Sequence, residues 1–230
     1  MSVDLMLNDQ SRCQPALPGK ASVASLPALD ALFAAAASLK SLCGGDTLAR
    51  QGETAQSLHK VVRGLVRVCI YTEDGDRKIV RFAAPGAILG LTDHGEWSYT
   101  LEAVGPAAVS VLARTRFEQE LRRNSALRED VWAGLTEEIA ARDALLILVT
   151  CTHAAERVLA FLHYFAEGRD AAGFVELPMG RHDIADYLGL SMETVSRAFS
   201  SLRDCGAIEL KGPSLYRVLH HAARTEQHAA

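Results

Sequence analysis

Paired cysteines, long apolar runs and a surplus of positive charge are all missing from this 230-residue chain. Its five cysteines, Cys13, Cys43, Cys69, Cys151 and Cys205, are odd in number, scattered, and form no Cys-x-x-Cys pair. Neither a disulfide framework nor a zinc knuckle is expected from that spacing. The longest fully apolar run near the middle of the chain is "ALLILV" (Ala144–Val149), far short of the roughly 20 residues a membrane helix needs. The opening "MSVDLMLNDQ" has no basic region ahead of an apolar core, so a soluble cytoplasmic protein is expected rather than a secreted one. Gly-rich phosphate loops, His-Glu-x-x-His, Gly-x-Ser-x-Gly and paired carboxylates are also missing, and no enzyme is expected. The formal net charge of −4 argues against indiscriminate attraction to nucleic acid.

What is present is ordinary globular material, 49% apolar and 23% charged, in a chain long enough for two domains. Residues 1–25 lack periodicity and carry Pro15, Pro18 and Gly19, which reads as a mobile N-terminal tail. The stretch Leu26–Leu42 has a helical pattern rich in alanine. From residue 46 to 113 the character is all-β, with glycines at 52, 64, 75, 86, 90 and 105 punctuating short strands. "GLVRVCIY" places Val66, Val68 and Ile70 on one face, and Asp74-Gly75 turns it back into "KIVRF". A long helix follows, with Asn124 or Ser125 as its N-cap and an apolar stripe through Val131, Leu135, Ile139, Arg142, Leu146 and Val149. Either the β unit or a second copy of the chain must cover that stripe. Thr150–Phe165 continues as a further helix.

The most informative stretch is "RHDIADYLGLSMETVSRAFSSLR". With Arg181 as position one, the small Ala185 falls at five and Gly189, free to adopt positive φ, at nine. Ile184, Leu188, Leu190, Val195 and Ala198 fill the apolar positions that close a helix-turn-helix, and no insertion is needed. Ser191 is then the N-cap of the second helix. Its outward side carries Glu193, Thr194, Ser196, Arg197 and Ser200, residue types that suit base edges: Arg donates twice to guanine, Glu accepts from an amino group, Ser does either. The plainer alternative is a helical hairpin with a solvated polar face. "GAIELKGPSLYRVL" turns at Gly212-Pro213 and adds a β wing, which favours a winged helix-turn-helix.

Residues 151–230 hold eight Lys/Arg against ten Asp/Glu, so the DNA-reading half is not basic. Placement offsets this: Arg181, His182, Arg197, Arg203, Lys211 and Arg217 lie on the two helices or the wing. Lys211 and Arg217 are the wing's expected phosphate contacts, with Arg181 a further DNA contact.

The order of β unit, long helix and "LPMGRHDIADYLGLSMETVSRAFSSLRDCGAIEL" resembles the CRP/FNR superfamily of transcription regulators. "HAAERVLAFL" followed by "ETVSR" is similar to its FNR/FixK branch. The resemblance spans about residues 26–220 and is most specific over 177–206. It implies an α+β fold: an N-terminal β-roll (a jelly roll of the cyclic-nucleotide-binding kind) over 26–126, a dimerisation helix over 127–150, and a C-terminal winged helix-turn-helix over 151–224. It further implies a homodimer on double-stranded DNA at an inverted repeat of TTGA…TCAA type, direct contact with RNA polymerase, and base reading by Glu193, Ser196 and Arg197.

Two departures from the family narrow the signal. Members that sense cyclic AMP hold its phosphate with an Arg-Ser pair in the β-roll, whereas no Lys or Arg lies between Arg81 and Arg114 here; cyclic AMP is not expected. Oxygen sensors in the family ligate an iron–sulfur cluster with an N-terminal cysteine group, whereas Cys13 stands alone in this tail, so no cluster is expected. A FixK-type factor without the cluster remains. The alternatives are a haem-dependent nitric-oxide sensor, with His59 or His94 as axial ligand, and an effector-binding module with a non-functional helix-turn-helix. Cys205, just past the reading helix, is a candidate redox site whose oxidation would add negative charge near DNA.

Overall fold

The computed structural model describes residues 26–93, 95–151, 153–167 and 173–219. The expected tail with Cys13, His94 and the stretch 220–224 lie outside them. The chain opens with helix α1 (Pro27–Ala36), started by a proline in its first turn. Eight strands follow: β1 (Ser38–Leu42), β2 (Thr47–Ala49), β3 (Ser57–Arg63), β4 (Val66–Tyr71), β5 (Arg77–Ala83), β6 (Ile88–Leu89), β7 (Thr100–Ala103) and β8 (Ala107–Ala113). They form two four-stranded sheets, ordered β1-β8-β3-β6 and β2-β7-β4-β5. Val61 and Val109 from one sheet meet Val66, Val68, Leu101 and Ala103 from the other in a shared apolar layer. Gly64 makes the turn from β3 to β4 at φ +82°, where a Cβ would come within 2.7 Å of the Ala107 backbone.

Two sequence expectations need correction here. The helical pattern Leu26–Leu42 ends at Ala36, because Ala37 is extended and Ser38–Leu42 pairs with β8 as an edge strand. Tertiary pairing overrides the alanine-rich local preference. In β4, a bulge between Val68 and Cys69 interrupts the alternation. Val66 and Val68 face the inner layer, Cys69 is buried against the helical layer, and Ile70 is only half-buried.

Helix α2 (Arg114–Arg123) leads into the long helix α3 (Ser125–Cys151). Asn124 caps α3 by accepting a hydrogen bond from the Leu127 N–H at 3.2 Å. Val131 packs inward beside Leu29, Phe117 and Leu127. The outward apolar residues are Trp132, Ile139 and Leu146, with Ile147 beside them. Of the expected stripe, Val131 is thus covered by its own domain, while Ile139 and Leu146 face outward together with Trp132. The next helix, α4 (Ala154–Ala166), is separate rather than continuous from Thr150, and Glu156 accepts from the His153 N–H at 3.1 Å at its start.

Strand β9 (Val175–Glu176), helices α5 (Arg181–Leu188) and α6 (Met192–Asp204), and strands β10 (Ile208–Leu210) and β11 (Leu215–Val218) complete the chain. The last sheet is ordered β10-β11-β9. Tyr216, fully buried, donates its hydroxyl to the Leu162 carbonyl at 2.6 Å and so pins this sheet to α4. Cys69, Ile79 and Phe82 of the β-roll belong to one apolar cluster with α4, α5 and α6. The fold is α+β with a β-roll, a long helix and a winged helix-turn-helix. Among the described residues, no helix is long and apolar enough to cross a membrane.

Candidate nucleic-acid interface

Helices α5 and α6 close on a small core in which Ile184, Leu188 and Val195 are fully buried and Ala185, Ala198 and Phe199 nearly so. Gly189 sits in the left-handed region at φ 63°, and the Leu190 N–H bonds the Ala185 carbonyl at 3.0 Å, which sets the turn. Ser191 caps α6, its hydroxyl accepting from the Thr194 N–H at 3.1 Å. Each positional requirement read from the sequence is occupied as a helix-turn-helix needs.

The outward face of α6 carries Glu193 and Arg197, with side chains 72% and 78% exposed and bonded to each other at 2.5 Å. Ser196 and Ser200 lie on the same side and donate to the carbonyls of Met192 and Ser196. Thr194 is drawn into the cap, its hydroxyl 2.8 Å from that of Ser191. Met192, 56% exposed, adds an apolar tip that sequence reasoning passed over because it precedes the amphipathic pattern.

The remaining expected contacts are held more closely. Arg181 lays its guanidinium over the Phe199 ring, 3.1 Å from the centroid, and donates to the Pro213 carbonyl at 3.1 Å. Burial pulls its pKa down to about 10, so it stays charged at neutral pH. It braces the wing turn against α6. Arg217 pairs with Glu209 across the wing and lies 5.1 Å from the Phe174 ring; the exposed Lys211 is 5.9 Å from the same ring. Phe174 organises both wing cations, a role invisible in sequence. Cys205 is half-buried at the end of α6, with its thiol 3.4 Å from the Leu202 carbonyl.

A second arrangement joins this unit to the β-roll. Arg67 on β4 and Arg77 on β5 reach Asp183 and Asp186 on α5 at 2.5–3.0 Å. Nothing in the sequence marks these pairs, because their partners lie more than a hundred positions apart.

A cavity of about 740 Å³ opens between the β-roll, α3 and α5. Its wall includes Arg81 and Arg142 as well as Asp93, Glu137, Glu138 and Asp186. Residues 82–113 hold no Lys or Arg, but the fold brings Arg81 and Arg142 to this wall from either side of that segment. Glu138 holds them both, Arg81 at 3.5 Å and Arg142 at 2.5 Å. His59 lies elsewhere in the roll, 4% exposed and stacked on Trp97 with centroids 5.3 Å apart. It is not part of the cavity wall, and a haem iron needs an imidazole aimed into open volume, so His59 does not fit that group here. Among the described residues, no group of three His, Cys, Asp or Glu side chains is placed to hold a metal ion.

Comparison with known proteins agrees with this geometry. The cyclic nucleotide-binding domain family matches residues 39–124 and the Crp-like helix-turn-helix domain family residues 156–223. The nitrogen fixation regulation protein FixK of Bradyrhizobium diazoefficiens is 36% identical over 171 residues, covering 72% of each chain. The transcriptional activatory protein AadR of Rhodopseudomonas palustris is 34% identical, covering 68% of this chain and 67% of that one. This chain belongs to the CRP/FNR superfamily, of FixK type. The solved structure of FixK2 from Bradyrhizobium japonicum superposes with a TM-score of 0.75 at 31% identity, over 79% of this chain and 92% of that one. As a CRP/FNR-family protein it is a DNA-binding transcription regulator, in a family whose members are in general not enzymes.

Proposed function

We propose that this regulator acts as a homodimer at an inverted repeat of TTGA…TCAA type, with Glu193, Ser196 and Arg197 reading the bases. The observation that carries the reading is the exposed Glu193–Arg197 couple on α6, an i, i+4 pair preset on the outward face. In the major groove, Arg197 donates to guanine and Glu193 accepts from an amino group of a neighbouring pair. Ser196 and Ser200 exchange their intrahelical acceptors for bases or phosphates, and Thr194 supports the helix start. Lys211 and Arg217 meet the backbone from the wing, and Arg181 holds that wing in place.

Dimer formation is supported by Trp132, Ile139 and Leu146, which stand seven residues apart and at least 60% exposed on α3. A seam of that period covers them and sets two reading helices about one DNA turn, ~34 Å, apart. AadR, named as a transcriptional activatory protein, supports an activating role, and contact with RNA polymerase is part of the same proposal. The acidic excess of the cavity wall speaks against a cyclic nucleotide as the signal.

Fluorescence anisotropy of the purified protein on a TTGA…TCAA duplex and on a scrambled one, repeated over a salt range, tests the reading. Selective binding that persists as salt rises is the expected result. Equal binding to both duplexes overturns it.

A further inference from the structure

Two kinds of contact join the helix-turn-helix to the β-roll. Phe82 on β5 meets Tyr187 on α5 with ring centroids 5.3 Å apart, and Phe161 and Phe165 on α4 at 6.1 and 5.9 Å. Apolar contact of this kind is non-directional: it keeps the units together without fixing their rotation. Beside it lies an ion network. Arg77 donates through Nε and Nη2 to Asp186 at 2.9 and 2.7 Å, and through Nη2 to Asp183 at 2.5 Å. Arg67 donates through Nη1 to both oxygens of Asp183, at 3.2 and 3.0 Å, and through Nε to Glu102 at 2.8 Å. These five side chains are only 10–18% exposed. Guanidinium–carboxylate bonds are planar and directional, so the network fixes an angle that packing leaves free.

Burying five charges brings little net stability compared with apolar side chains of the same volume. What the network brings is a defined setting of α5, and α6 follows α5 through their shared core. The reading face is left free, since the Glu193 and Arg197 side chains are 72% and 78% exposed.

We propose that Arg67 and Arg77 are positioning residues for DNA recognition: they hold Asp183 and Asp186 so that the reading helix of each protomer is set at the angle a paired site demands. This rests on the homodimer and inverted-repeat reading above. A single half-site can be met by a helix-turn-helix at any rotation, because the complex turns as a body. Two half-sites fixed on one duplex cannot, so loss of the network is felt only on the paired site.

Anisotropy titrations of wild type, Arg77→Ala and the milder Asp186→Asn, on a full inverted repeat, on a single half-site duplex, and on a repeat with one added base pair of spacing, test this. The variants are expected to lose roughly tenfold on the full repeat and less than about twofold on the half-site. Their preference for the natural spacing over the lengthened one is expected to shrink. Combining Arg77→Asp with Asp186→Arg is expected to recover only part of the lost affinity, because a carboxylate at position 77 then faces Asp183. Equal loss on full and half sites, or no loss on either, overturns the positioning role while leaving the inverted-repeat reading intact. Wild type that binds full and half sites alike overturns both. Should Arg77→Ala fail to fold, Asp186→Asn and the charge swap carry the same comparison.

Discussion

Arg181 and Phe199 form a face-on pair, the guanidinium 3.1 Å from the ring centroid, that ties the first residue of α5 to the middle of α6. The same guanidinium bonds the Pro213 carbonyl, so one side chain joins both helices to the wing turn. Arg181→Ala is expected to cost about 1–2 kcal/mol in urea unfolding, from the stacked cation and the lost hydrogen bond together. Arg181→Lys recovers little, because an ammonium lacks the flat surface that stacks on the ring. Full stability in the alanine variant would show that the brace is idle.

Arg197→Ala is expected to cost ~1–3 kcal/mol on the TTGA…TCAA duplex, with most of the loss at the guanine step. Glu193→Ala mainly weakens discrimination at its own base pair. Each removes one half of the couple seen on α6, so the double variant is expected to lose less than the sum of the two. Equal loss for Arg197→Ala on every probe sequence would reduce Arg197 to a phosphate contact.

What the sequence disclosed follows from how local each feature is. The helix-turn-helix was legible because its small residue, its positive-φ glycine and its apolar positions sit at fixed offsets within one short stretch. Strand β1 was not, because only its pairing with β8, far along the chain, makes Ser38–Leu42 extended. The outward polar face of α6 could be drawn from helical period alone, whereas Phe174 under the wing cations and the Arg77–Asp186 pair join segments with no shared pattern. The cavity shows the same limit. Its arginines, Arg81 and Arg142, come from a strand and a helix on either side of residues 82–113, which hold no Lys or Arg.

That cavity wall bears Arg81 and Arg142 against Asp93, Glu137, Glu138 and Asp186. A phosphodiester entering it meets two cations already held by Glu138 and an excess of carboxylate. Titration calorimetry with cyclic AMP is expected to show no saturable binding below about 1 mM. A dissociation constant in the micromolar range would return cyclic nucleotides to the list of signals.

Ile139, 61% exposed at the centre of the outward stripe of α3, is the most direct probe of the proposed dimer. Ile139→Asp buries an unpaired carboxylate from each protomer in the seam and is expected to weaken association by more than about tenfold. Sedimentation velocity reads this as a shift from dimer to monomer, and affinity for the inverted repeat falls with it. A dimer that survives the substitution is held through some other surface.

His59 makes a prediction about acid stability. Burial first, and the Lys40 ammonium second, lower its pKa from 6.5 to about 4. Its Nε2 lies 3.2 Å from the Ser57 hydroxyl, while Nδ1 has no hydrogen-bond partner among the described residues. The folded protein therefore keeps the ring neutral where the unfolded chain would protonate it. Below pH 6.5 the unfolded state gains a proton that the folded state refuses, so stability falls as pH drops from 6.5 towards 4 and levels off below. The loss attributable to this one group is on the order of 2–3 kcal/mol by pH 4.5. Carboxylates titrate in the same window, so the comparison must be with His59→Phe, which keeps the stack on Trp97 and removes the proton site. Urea unfolding at pH 7 and pH 4.5 should give the variant a shallower decline than wild type by roughly that amount. Parallel declines would mean that the ring is protonated inside the fold as readily as outside it, which a side chain 4% exposed and stacked on Trp97 could not allow without rearrangement of the roll.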